Sequence, residues 1–122
     1  MDKKRILIID DDQNVIRSIK DLLEQWEYEI FFSNDGDSGF DKINLVKPDL
    51  ILLDLVLPEQ SGFKVAQKIK ASPKFSSIPI IAISLKTEDI DKHIAVKSGI
   101  SDYLEKPLDL DKLLNCVKNL TD

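Results

Sequence analysis

An α/β domain with helices on both faces of a parallel sheet is the fold this chain predicts, and three observations predict it. Two short stretches, Ile6-Leu7-Ile8-Ile9 and Leu50-Ile51-Leu52-Leu53, are apolar without interruption, the pattern of strands buried on both faces of a parallel sheet. Amphipathic segments with helical spacing alternate with apolar runs from end to end, which gives a three-layer (βα)5 arrangement with right-handed crossovers. Both runs also stop on aspartate, at Asp10-Asp11-Asp12 and at Asp54. A carboxylate inside such a run is expensive to desolvate; at the carboxyl end it faces the crevice where α/β sheets bind ligands.

The elements follow in order. The first strand is expected at about Arg5 to Ile9, and Asp12 to Asn14 supply N-cap chemistry for a helix carrying Val15, Ile16, Ile19, Leu22, Leu23 and Trp26 on its inner face. Glu29 to Ser33 reads as a short strand, and Asn34-Asp35-Gly36 as a turn. A second helix is expected near Asp37 to Val46, with Phe40 and Ile43 inward and Leu45 a further candidate, ended by Pro48 before the strand Leu50 to Leu53. After the loop from Leu57-Pro58 to Gly62, a third helix uses Phe63, Val65, Ala66 and Ile69 until Ser72-Pro73 stops it. Ile80 to Ser84 is the fourth strand. Thr87-Glu88-Asp89 begins a helix with Ile90, Ile94 and Ala95 inward that Gly99 terminates. Tyr103-Leu104-Glu105 is a fifth strand, and Lys106-Pro107 turns into a last helix holding Leu110, Leu113, Leu114, Val117 and Leu120.

The 122 residues fit one domain over 1–122. No apolar stretch is long enough to cross a bilayer and no signal-peptide pattern is present, so no membrane contact is expected. The single Cys116 cannot form an internal disulfide, in keeping with a reducing, cytoplasmic location. A formal charge of −5 argues against direct nucleic-acid binding, because phosphate backbones reward Lys and Arg.

Reading the strand exits gives Asp10, Asp11, Asp54, Ser84 and Lys106 at one edge. Three carboxylates and a backbone carbonyl suit a hard, octahedral ion such as Mg²⁺ (or Mn²⁺). A carboxylate can also act as a nucleophile and yield an aspartyl phosphate, with Lys106 giving a point charge and Ser84 a hydroxyl donor to the phosphoryl oxygens.

Over its whole length the sequence resembles the receiver domain of two-component response regulators. The carrying motifs are Ile8-Ile9-Asp10-Asp11, Asp49 to Asp54 with Leu57-Pro58 and Gly62, Pro79 to Ser84, and Asp102 to Pro107. The resemblance implies a flavodoxin-like sheet in order 2-1-3-4-5. It implies that Asp54 accepts phosphate from a phosphohistidine on a sensor histidine kinase or histidine phosphotransfer protein, in a two-component or phosphorelay pathway. Asp11 and Asp54 would ligate the metal directly, Asp10 mostly through water, and Val56 through its carbonyl. Lys106 would contact the phosphate across a cis peptide to Pro107. Ser84 and Tyr103 would form a switch pair acting on the surface of the last strand and the two helices flanking it. A downstream protein target or output domain, and a phosphorylation-dependent dimer, follow as expectations. The protein would be a signalling receiver rather than an enzyme, either stand-alone or part of a longer chain. Leu85 departs from the small residue usual after the switch hydroxyl and is expected to crowd the pocket; Val56, two beyond Asp54, cannot position an attacking water.

Blander readings stand beside these. Asp12 reads as an exposed helix cap rather than a ligand, and a calcium-loop reading of Asp10-x-Asp12-x-Asn14 fails because Val15 stands where glycine is required. His93 is assigned no role. Cys116 reads as partly buried packing. Tyr103 could simply pack an edge strand, and Lys106 could serve a purely structural ion pair. Two rival functions remain: a haloacid dehalogenase-type phosphatase using Asp10-x-Asp12, which Asn14 in its threonine position disfavours, and a receiver-like binding module that works without phosphate.

Overall fold

The computed structural model describes residues 2–58, 60–85 and 98–122. Five strands, β1 (Arg5–Ile9), β2 (Glu29–Ser33), β3 (Leu50–Asp54), β4 (Ile80–Leu85) and β5 (Asp102–Lys106), pair in parallel in the order β2-β1-β3-β4-β5. Four described helices, α1 (Gln13–Gln25), α2 (Gly36–Val46), α3 (Gly62–Ala71) and α4 (Leu110–Thr121), connect or follow them. The helix expected after Thr87, with Ile90, His93, Ile94 and Ala95, lies outside the described residues.

Alternate strand residues feed two cores. Ile6, Ile8, Leu50, Leu52, Ile81 and Ile83 pack with Ile16, Ile19, Leu113 and Val117 of α1 and α4. Leu7, Ile9, Ile51, Leu53 and Ile80 pack on the opposite face with Ile43 of α2 and Val65, Ala66 and Ile69 of α3. Covering on both faces is why β1 and β3 read as uninterrupted apolar runs. The helices start where side chains relieve their unpaired N–H groups: Asp12 accepts from Asn14 and Val15, Asp35 from Ser38, Ser61 from Phe63, and Asp109 from Asp111 and Lys112.

Three expected inward residues face out. Trp26 is half exposed, because it lies past the last turn of α1, where its ring takes Lys118 Nζ 3.7 Å from the ring centroid. Leu45 is exposed and Val46 buried in its place; counted from Ile43, position 46 shares the inner face and position 45 does not. Leu110 opens α4 and stands at its exposed edge. Gly99 has φ +81°, a left-handed backbone that glycine adopts without strain; the helix expected to end there lies outside the described residues.

Candidate phosphoacceptor site

Parallel pairing sets Ile9 beside Leu53 and Asp54 beside Ile83, so the residues leaving β1, β3 and β4 emerge along one rim. Asp10 is fully buried and Asp54 nearly so, whereas Asp11 is exposed. Oxygens of Asp10, Asp11 and Asp54 lie within 4.8 Å of one another. Local geometry holds the two buried carboxylates: Asp12 N donates to Asp10 Oδ1 at 2.8 Å, and Val56 N to Asp54 Oδ1 at 2.9 Å. Behind Asp10, its own N–H donates to Ser33 O at 3.1 Å.

Lys106 reaches in from β5, where it pairs with Leu85. Its Nζ donates to Asp54 Oδ2 at 3.3 Å and lies 3.0 Å from Asp10 Oδ2. The second approach is an ion pair without hydrogen-bond alignment, so Asp10 Oδ2 is a buried oxygen lacking a hydrogen-bond partner. The electrostatics follow. Burial pushes the Asp10 carboxyl up to about 6, with the Asp54 charge adding to the rise while the Asp12 N–H and Lys106 oppose it. For Lys106, burial acts to lower the pKa, but the close carboxylates of Asp10 and Asp54 prevail and hold it above the usual lysine range.

Ser84 is buried one residue past the point where β4 pairs with Asp54. Tyr103 lies half-buried further down β5, opposite Ala82, with its hydroxyl pKa raised by burial and by Glu105. Val56 is mostly exposed while its N–H holds Asp54. The Lys106–Pro107 peptide is cis. Leu85 is 68% exposed and lines, with Lys106, Pro107, Leu108, Leu110 and Val15, an open cleft of about 470 Å³; it borders the site instead of being packed into it. Asp12 caps α1. Cys116 is partly buried, and its thiol, donating to Asp102 Oδ2 at 3.1 Å, is pushed up to about 11 by burial and by that carboxylate, the opposite of an activated thiolate.

The sequence reading missed the bracing around this rim. Gln13 Nε2 donates to Asn34 Oδ1 at 2.8 Å, joining the start of α1 to the loop after β2, and Gln60 Nε2 donates to Asp37 Oδ1 at 3.0 Å. Gly62 packs so tightly that a Cβ there would stand 2.3 Å from Asp54 O and 2.6 Å from Leu55 Cα. Gly62, expected to close the loop, instead opens α3; the contact that demands glycine was not legible.

A family model described as the response regulator receiver domain matches residues 6–118. The chain belongs to the response regulator receiver family. The response regulator ArlR of Staphylococcus epidermidis is 40% identical over 110 residues, covering 89% of this chain and 48% of ArlR. Protein PilH of Pseudomonas aeruginosa is 31% identical over 113 residues, 93% of each. The receiver thus spans about half the length of ArlR and nearly all of PilH. Among solved structures, a response regulator receiver domain protein (CheY-like) from Methanospirillum hungatei aligns with a TM-score of 0.90 at 28% identity, over 98% of this chain and 94% of that one. The receiver fold and its sheet order are therefore those the motifs implied. A receiver of this family serves two-component signalling as a phosphoacceptor. The family match displaces the haloacid dehalogenase reading.

Proposed function

We propose that Asp54 is the phosphoacceptor and that its partner is a phosphohistidine on a sensor histidine kinase or histidine phosphotransfer protein. An Asp54 oxygen attacks phosphorus, the P–N bond breaks with its electron pair returning to the imidazole, and an acyl phosphate forms on Asp54. One observation carries this reading: a lysine amine lies between two buried carboxylates at the strand exits, 3.0 Å from Asp10 and 3.3 Å from Asp54. In that place it can pass its charge from Asp54 to the phosphoryl oxygens.

The donor set fits a hard divalent cation. Asp10, Asp11 and Asp54 offer clustered oxygens, and Asp10 Oδ2 has no hydrogen-bond partner, which suits Mg²⁺ or Mn²⁺. Asp11 and Asp54 would bind it directly, Asp10 through water and Val56 through its carbonyl. When bound, such an ion offsets the charge of the incoming phosphoryl group and aligns it for in-line attack. Ser84 then donates its hydroxyl to a phosphoryl oxygen, and Tyr103 moves inward into the space released. The surface of β5, α4 and the helix expected after Thr87 shifts toward a partner-binding form. Coupling of this kind is typically about 1–3 kcal/mol, a population shift rather than complete conversion.

The domain is taken as residues 1–122. It acts in the cytoplasm on a downstream protein target or output domain, without touching nucleic acid or membrane itself. It is a stoichiometric carrier, not a turnover enzyme. The test is native mass spectrometry with Mg²⁺ and beryllofluoride, together with acetyl phosphate consumption. One adduct on the wild type and none on Asp54→Ala supports the reading. An adduct on both proteins overturns it, as does its absence from the wild type (the phosphate-independent module). Sustained hydrolysis of phosphate esters would restore the phosphatase.

A further inference from the structure

The loop after β3 leaves and returns within a few residues, and its return limb is tied sideways to another element. On the outgoing limb, Val56 N holds Asp54 Oδ1 at 2.9 Å. On the return limb, Ser61 makes an antiparallel bridge to Val56, and Gly62 N donates to Leu55 O at 3.0 Å. Gln60, the residue before that bridge, sends Nε2 to Asp37 Oδ1 at 3.0 Å in the first turn of α2. Gly36 leaves this amide its seat: a Cβ there would stand 2.5 Å from Gln60 Nε2. A continuous path thus runs from the Asp37 carboxylate through the Gln60 amide and the Ser61–Val56 bridge to the Asp54 carboxylate.

We propose that Gln60 is a positioning residue for the phosphoacceptor site, with Asp37 as its anchor. The inference rests on the reading of Val56 as a backbone ligand of the divalent cation. Tying Ser61 down fixes the backbone on both sides of Val56, and with it both the N–H that orients Asp54 and the carbonyl offered to the ion. The bond is between two side chains at the surface of the rim, so its loss removes little packing. Its effect falls on the precision of the oxygen set, to which an octahedral ion is sensitive.

The test compares Mg²⁺ affinity by calorimetry with the melting temperature in chelator. Removing groups that orient a metal's ligands typically costs about 10–100-fold in affinity, and one step further out the expected loss for Gln60→Ala is about 3–10-fold. Its melting temperature in chelator should stay close to the wild-type value. Asp37→Ala should give the same loss, and the double variant no more than either single, because both break one link. Asp37→Asn keeps an acceptor oxygen and should retain wild-type affinity. Unchanged Mg²⁺ affinity in Gln60→Ala and Asp37→Ala overturns the proposal, as does an additive double variant. A wild-type protein that binds no Mg²⁺ overturns instead the reading on which it rests.

Discussion

The buried Asp10 makes stability in the absence of metal depend on pH with an unusual sign. Its carboxyl is pushed from 3.8 up to about 6, first by burial, with the charge of Asp54 adding to it. The folded protein therefore holds this proton more tightly than the unfolded chain does. Between these two values the native state binds more protons, so stability falls as pH rises through the window. The contribution is fully present below the unfolded value and gone above about 6. At about 1.4 kcal/mol per pKa unit, the gap is worth about 3 kcal/mol in all, of which about 1 kcal/mol is gained between pH 7 and pH 5.

Urea titrations in chelator at pH 5, 6 and 7 on wild type and Asp10→Asn read this group together with its coupling to Asp54 and Lys106, since titrations of groups remote from Asp10 cancel in the difference. Asp10→Asn should be the more stable at pH 7, and its advantage should shrink by about 1 kcal/mol at pH 5. In excess Mg²⁺ the trend should reverse for the wild type, because the ion binds only the native state and competes with the proton. An Asp10→Asn advantage that stays constant across this range, or grows on acidification, refutes the account of a desolvated, repelled carboxylate.

Replacing Lys106 by Met leaves two buried carboxylates facing each other and should cost near the lower end of the about 3–5 kcal/mol typical of a broken buried pair; the deficit, read by urea titration, should shrink at pH 5 as Asp10 takes a proton. Gly62→Ala drives a Cβ into the Asp54 and Leu55 backbone, which cannot swing aside, so a loss of about 2–3 kcal/mol and weaker beryllofluoride binding are expected in denaturation and binding assays. Because Val56 offers no polar group to place a water, the wild-type phosphoryl group should outlast that of Val56→Asn; decay in Mg²⁺ that is equal or faster in the wild type sinks this. Asp54→Asn removes the like charge facing Asp10 and should raise the melting temperature in chelator; a lower value counts against repulsion at the rim.

Much of this site was legible because burial on both faces leaves no doubt where a strand ends. In β1 and β3 every interior position is apolar, so the first aspartates mark the exits, and topology brings those exits together. Periodicity served less well at helix ends. It assigns a face, but it does not say that Trp26 lies beyond the last turn, that Val46 displaces Leu45, or that Leu110 stands at an open edge. Illegible altogether were side-chain contacts between separate elements: Gln60 to Asp37, 23 positions apart, and Cys116 to Asp102, 14 apart. Neither residue type demands its partner, and the pairing depends on loop paths that no local pattern encodes.

Lys106 lies between these cases, and the sheet order explains the choice of side chain. Asp10 and Asp54 leave the adjacent strands β1 and β3, whereas β5 is separated from β3 by β4. At about 4.8 Å per strand spacing, β5 runs about 10 Å from β3, beyond what a short cationic group at that exit could span. A lysine reaches with a flexible apolar stem while its ammonium engages both carboxylates. The strand it must pass carries Ser84 at the rim, small enough to leave the path open. The spacing of β3, β4 and β5 thus accounts for a long side chain on β5 and a small residue on β4 between it and the carboxylate that ends β3.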